Sequence, residues 1–421
     1  MNSDSNSKSA QFAEAGRFII KLGEAAHAYG STAARLEAFL SRLTKTLGYH
    51  GVFRSTPTDI VFAFQEDEDQ PQQTHLATMP GTGQELAKLA QVGELVDAVE
   101  AGTTSISEAS NRLDEIDKLA DPWGGAATAV SYALCGTGIA VLLSGSWWDV
   151  LVSALLSLVV YGMVEMAGRF GARTAEWLPL STAFVAGFLA VATKVLVPEV
   201  NIGLVTLAAI LVLIPGFSIS VGVVELVSRH VVSGSANLMT GLVYLAKQFA
   251  GAWLGVGVAR LLWPISSAAV GTISSAAVGT AVDRQWLWLF MPLLIAGLCV
   301  VFQTSRKDFL WAFLGGAIAY GGTLLGSAIA GANLGNLIGT ILAVAFANVW
   351  AAKTGRPTSI VLLPAIILLV SGSIGFRGLA SMATGQTAVG EQQFLQMFVV
   401  ALTIAAGLLV GNTLVRPKAT L

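Results

Sequence analysis

Between Trp123 and Arg416 the sequence is a succession of apolar stretches, and their lengths constrain the fold more than any motif does. A bilayer core about 30 Å thick takes about 20 residues of helix to cross. Stretches of that order fall at 126–144, 147–167, 178–198, 203–227, 237–262, 286–303, 308–326, 331–351, 358–376 and 392–415. Lipid offers backbone N–H and C=O groups no partner, so such stretches cross it as helices whose hydrogen bonds are internal. The expected class is therefore membrane all-α, with ten transmembrane helices. Composition agrees, since 12% of the residues are charged against about a quarter in soluble domains.

Charge is segregated along the chain. Residues 1–121 hold 18 of the 26 acidic and 10 of the 24 basic residues, a balance of −8, while the remaining 300 residues come to +6. The N-terminal part thus reads as a small acidic domain in water. Its start, MNSDSNSKSAQF, lacks the apolar core of a secretory signal, so the domain is expected to be cytoplasmic. Residues 1–11 form a polar tail with too little apolar content to order itself. Phe12, Ala15, Ile19 and Leu22 recur at helical spacing, as do Leu36, Phe39, Leu40, Leu43 and Leu47 behind Ser31 or Thr32 as N-cap. Three β-prone runs, 52–55, 60–64 and 74–79, predict a small antiparallel sheet. Residues 84–101, and a capping box of Ser105 with Glu108, predict two further helices. The domain over 12–121 is expected to be α+β.

That domain offers little chemistry. The run Glu66, Asp67, Glu68, Asp69 reads as a solvated loop tip. No nucleophile or metal-ligand spacing joins His27, His50 and Asp59, so no catalytic residue, metal site or cofactor is assigned. Cys135 and Cys299 lie in apolar runs and read as small core hydrophobes. An acidic surface repels phosphates, which argues against nucleic acid as a partner.

The apolar region repeats itself. Asp149 through Gly162 matches Asp308 through Gly321 at an offset of 159, and Leu189-Ala-Val-Ala192 returns as Leu342-Ala-Val-Ala345 at 153. Gly216, Gly251, Gly255 and Arg260 correspond to Gly372, Gly407, Gly411 and Arg416, all at 156. The halves are 122–263 and 286–416, joined by a linker over 264–285 and followed by a tail over 417–421. Five spans per half put the two in opposite orientations, so the reading is two inverted five-helix repeats, an arrangement that lets one pathway open alternately to either side. With the N-terminus inside, nine basic loop residues face the cytoplasm and four face out, in keeping with the positive-inside rule, and the C-terminus is also cytoplasmic.

Paired interruptions at corresponding positions of two repeats point to a binding site. The fourth span is interrupted by Pro215, Gly216, Phe217 and Ser218, the ninth by Ser371, Gly372 and Ser373, with Arg377 close behind. Proline removes a helical N–H and glycine tolerates unusual dihedrals, so both segments are expected to break near mid-membrane. A break leaves N–H groups at one half-helix start, which attract a carboxylate, and C=O groups at the other's end, which attract a cation. A zwitterionic amino acid suits such a pair, and a carboxylate suits one end. Further intramembrane polar candidates for coupling or binding are Glu225, Lys247, Gln248, Asn333, Asn336 and Asn348. Lys247 either snorkels to the interface or pairs with Glu225, and the asparagines suit hydrogen bonds between helices.

Taken in order, Leu22-Gly23, Gly30-Ser31-Thr32, Arg35, Glu37, Leu47-Gly48, Thr56-Pro57-Thr58, Ile214-Pro215-Gly216, Ser371-Gly372-Ser373 and Arg377-Gly378-Leu379 resemble the threonine/serine exporter family. The resemblance extends from about residue 12 to 416. It implies a secondary transporter of the cell (inner) membrane that exports small amino acids, driven by the membrane potential or proton gradient. Split two-chain relatives imply an alternative, export of a dicarboxylate such as succinate. Ser371 departs from the Pro-Gly step expected at the second break. A membrane-anchored enzyme or regulator acting through the N-terminal domain is the remaining alternative. Expected partners are the small-molecule substrate, the bilayer and, compatibly with the sequence, further copies of the chain.

Overall fold

The computed structural model describes residues 2–67, 69–79, 83–264, 279–369 and 372–417. Most of the predicted linker, nearly all of the C-terminal tail and Ser371 lie outside the described residues.

The N-terminal domain opens with helices α1 (Asn2–Ala28) and α2 (Ala33–Thr46). Strands β1 (His50–Ser55), β2 (Asp59–Gln65) and β3 (Gln73–Thr78) form an antiparallel sheet in that order, with Phe53 opposite Phe62 and Ile60 opposite Ala77. Strict alternation sends Ile60, Phe62 and Phe64 to one face, where they meet Phe18, Leu22, Leu36, Phe39 and Leu40 from the two helices. Helices α3 (Leu86–Glu100) and α4 (Ile106–Asp117) follow. Half of the predicted capping box is present, the Ser105 hydroxyl accepting the Glu108 N–H at 3.2 Å. One expectation is corrected: where composition predicts an unordered tail over 1–11, the helix begins at Asn2. Residues 2–11 contain neither glycine nor proline, and once the turn at Phe12 is anchored each added residue gains a hydrogen bond without a new nucleus.

Nine described helices are long and apolar enough to cross a membrane, and a bent pair makes a tenth span. In chain order they are α5 (Gly124–Leu142), α6 (Trp147–Phe170), α7 (Ala172–Leu196), the pair α8 (Ile202–Ile210) and α9 (Gly216–Val227), and α10 (Val231–Leu262). Then come α11 (Leu287–Val301), α12 (Phe309–Ala330), α13 (Ala332–Thr354), the span made of α14 (Ser359–Leu369) and α15 (Gly372–Ala383), and α16 (Thr387–Leu414). Their outer faces keep large apolar side chains in the open, with Leu261 and Trp288 each 82% exposed. Such a surface is stable facing lipid and a liability facing water. Glycine appears where the chain must turn sharply between neighbouring helices: Gly171 and Gly331, at φ 87° in both cases, join α6 to α7 and α12 to α13.

Two buried carboxylates cap helices at the membrane ends. Asp149 accepts the Ser146 N–H at 2.8 Å through one oxygen and the Asn201 N–H at 2.7 Å through the other, fixing the start of α8 against α6. Asp308 accepts from the Ser305 hydroxyl at 2.7 Å and from Arg356, whose other terminal nitrogen holds Glu94 of α3 at 2.7 Å. The N-terminal domain is thereby tied to the membrane domain. The first N–H groups of α3 also donate across that junction, Leu86 to the Phe302 carbonyl at 3.1 Å and Ala87 to the Gln303 carbonyl at 2.9 Å. One helix start and one helix end thus satisfy each other's unpaired groups.

Candidate functional site

The first predicted break is present. After α8 the chain winds into a short 3-10 turn, Leu211–Leu213, extends at Ile214, and restarts as α9 at Gly216, with a bend of 58° between the two pieces. Pro215 has no N–H to give, and the Gly216 N–H turns to the Ile214 carbonyl at 2.8 Å instead of extending the helix ladder. In the ninth span the described helix stops at Leu369 and resumes at Gly372; the step between them, with Ser371, lies outside the described residues.

The fold brings the two segments together. A Cβ added to Gly372 would lie 2.8 Å from the Gly216 Cα, 3.0 Å from its N and 2.6 Å from the Ile214 Cγ2. Backbone therefore meets backbone, and only glycine permits the approach. One turn on, Gly375 faces Met397 and Leu245, while Phe249 and Phe376 meet edge to face with centroids 6.2 Å apart. Helices of the two halves thus cross at the break: α9 packs on α16, and α10 on α15.

Other predicted residues are distributed more widely. Gln248, on α10 one turn beyond Leu245, is fully buried, and neither atom of its amide has a partner among the described residues. The Ser220 hydroxyl is likewise buried and unpartnered, whereas Ser218 and Ser373 are half-buried. Arg377 is half-buried, its Nε is unpartnered, and it makes no ion pair among the described residues. Pairing of Lys247 with Glu225 is overturned. Lys247 is exposed and reaches the Glu176 carbonyl at 3.4 Å, while Glu225 is buried and accepts from Asn237 Nδ2 at 2.8 Å. The long lysine side chain turns toward the surface, where its charge is hydrated. Asn348 ties α13 to α16, donating to Asn412 Oδ1 at 2.9 Å and to the Val415 carbonyl at 2.7 Å. Asn336 is half-buried, and Asn333 lies in the first turn of α13, its side chain outside the described residues.

Below the break a cavity of about 490 Å³ lies between α2 of the N-terminal domain and α9, α14 and α16. A smaller one of about 100 Å³ shares Ser31 and Phe217 with it and adds Ser218. Sequence reasoning assigned Ser31 and Arg35 to family resemblance and helix capping, and did not place them at the site. Their position depends on how the N-terminal domain docks, which no local pattern carries.

A bent span beside a cavity is an arrangement found in membrane transport proteins. A family model for threonine/serine exporters matches residues 17–259, and a second, described as Threonine/Serine exporter, ThrE, matches residues 287–414. The chain is 24% identical over 375 residues to the pheromone-regulated membrane protein 10 of Candida albicans, covering 85% of this chain and 32% of that one. It is 25% identical over 253 residues to the Saccharomyces cerevisiae protein of the same name, covering 59% and 32%. With the threonine/serine exporter of Corynebacterium glutamicum it shares 23% identity over 352 residues, 78% of this chain and 67% of that one. The chain thus spans about a third of the length of these fungal relatives. No solved structure matches. The chain belongs to the threonine/serine exporter family, a family of transporters and not of enzymes.

Proposed function

We propose that this protein is a secondary exporter of a small amino acid such as threonine or serine, working by alternating access between two inverted five-helix halves. The observation that carries the reading is the close approach of Gly372 to the Gly216 backbone, which supports a site where the bend of the fourth span meets the ninth span. Equivalent contacts at the 156-residue offset support the repeat. Gly222 packs on Gly234 and Leu238, as Gly378 packs on Gly390 and Phe394. Five spans in each half make the repeats inverted. The excess of basic loop residues on one side supports a cytoplasmic N-terminal domain and C-terminus, with the protein in the inner membrane. Substrate class follows the family and its Corynebacterium relative, and the membrane potential or proton gradient supplies the drive.

Counterflow of labelled threonine and serine in proteoliposomes tests this. Wild-type protein should exchange at least one of them, and Gly372→Val should abolish exchange while the variant still purifies as a folded, monodisperse species. Exchange at the wild-type rate in Gly372→Val would remove the site, and absence of exchange of any small amino acid by the wild-type protein would remove the function.

A further inference from the structure

Two ionisable side chains of opposite type, Arg35 and Glu225, line the cavity under the N-terminal domain and make no ion pair with each other among the described residues. Arg35, in the first turn of α2, lines it and has no ion-pair or hydrogen-bond partner among the described residues. Burial pulls its guanidinium down to about 10, so it keeps its charge at neutral pH. Arg42 also lines the cavity but is held by Glu100 at 2.8 Å. On the opposite wall Glu225 of α9 is 3% exposed; Asn237 donates to one carboxylate oxygen, Ser233 and His230 also face the group, and its Oε1 has no partner within hydrogen-bond geometry among the described residues. Glu225 faces the backbone N–H of Ala33, which lies between Ser31 and Arg35 in sequence. Ser31 is itself 5% exposed, lines both cavities, and its hydroxyl is unpartnered.

Polar and ionisable groups in an otherwise apolar cavity are costly to bury without partners, and among the described residues Arg35 and the Ser31 hydroxyl have none. A ligand bearing one charge of each sign satisfies them together. We propose that this cavity is a loading site for a zwitterionic α-amino acid, with Arg35 and Ser31 taking the carboxylate and Glu225 the ammonium. The N-terminal domain then forms one wall of the substrate path. Guanidinium and carboxylate make short, charge-assisted hydrogen bonds, and Ser31 and Phe217 lead from the cavity toward the break at Gly216. A dicarboxylate fits poorly, since its second carboxylate would face Glu225 and be repelled. This rests on the exporter reading above and narrows its substrate class.

The test uses full-length protein in proteoliposomes and competition against labelled threonine by unlabelled threonine, threoninamide, 3-hydroxybutyrate and succinate. Wild-type protein should be inhibited by threonine far more strongly than by threoninamide, which lacks the carboxylate, or by 3-hydroxybutyrate, which lacks the ammonium. Arg35→Gln should raise the half-saturating threonine concentration by about tenfold or more, the loss of a hydrogen bond to a charged group, and should level threonine with threoninamide. Arg35→Lys should recover part of the difference, and Glu225→Gln should level threonine with 3-hydroxybutyrate. Wild-type half-saturation in folded Arg35→Gln and Glu225→Gln overturns the proposal, as does stronger inhibition of the wild type by succinate than by threonine. Should a variant fail to fold, equal inhibition of the wild type by threonine and both truncated analogues overturns it alone. If the wild-type protein shows no counterflow, the exporter reading falls. Equilibrium binding of labelled threonine to solubilised wild type and Arg35→Gln still decides the site, equal binding overturning it.

Discussion

Adding a single methyl group to Gly372 should part the start of α15 from the bend at Gly216. The new Cβ would stand 2.8 Å from the Gly216 Cα, and carbon atoms rest about 3.5–4.0 Å apart, so the segments must part by about 1 Å. The Ile214 Cγ2 could turn aside, but the Gly216 atoms are main chain and cannot, and forcing an extra carbon into a packed contact costs about 1–3 kcal/mol. If that strain is present only in the conformation in which the breaks touch, its population falls by about 5- to 150-fold. Gly375→Ala is the control. Its added carbon meets the Met397 sulfur and the Leu245 Cδ2, far ends of flexible side chains that can move. Threonine counterflow should therefore fall at least fivefold in Gly372→Ala and stay within about twofold of wild type in Gly375→Ala. Equal rates in the two variants, with equal melting temperatures, would refute the claim that the glycine contact sets the transport conformation.

Three further outcomes are expected. Gln248→Leu removes a buried amide whose two polar atoms are unpartnered, so it should raise the melting temperature in detergent by the equivalent of about 1–3 kcal/mol while lowering counterflow; a lower melting temperature would mean that the amide has a partner. Asp308→Asn leaves the partly buried Arg356 without its carboxylate and should cost about 3 kcal/mol, whereas Glu94→Ala, removing a half-exposed partner of the same arginine, should cost about 1 kcal/mol or less, both read by thermal melting. Burial lowers the His27 pKa from 6.5, and in its neutral form Nε2–H donates to the Pro57 carbonyl at 3.2 Å. The unfolded chain binds the proton more readily, so this contribution is complete above the unfolded pKa of about 6.5 and is lost as pH falls below it. Protection factors for hydrogen exchange at α1 and β1, each taken against the intrinsic rate at its own pH, should fall from pH 7.5 to 5.5, and His27→Gln should flatten the difference.

Much was legible in the sequence because it is written in local periodicity. Ten apolar lengths gave the spans, the alternation of Ile60, Phe62 and Phe64 gave the sheet, and Pro215-Gly216 gave the first break, since each depends on residues near one another in the chain. The backbone preferences of proline and glycine hold wherever the segment docks. What the sequence could not supply was contact between distant segments. Nothing local to Gly372 says that it rests on Gly216, or that Glu225 meets Asn237 and the start of α2 while Lys247 turns away to the surface. Nor does any pattern around Arg35 place it, without a partner among the described residues, on the wall of a cavity between the N-terminal domain and α9, α14 and α16. By itself the sequence determined which segments cross the bilayer and where one of them breaks. Only the tertiary structure decided what the bend at Gly216 touches and which charged groups lack a partner among the described residues, because packing and pairing are settled by the segments that meet in space.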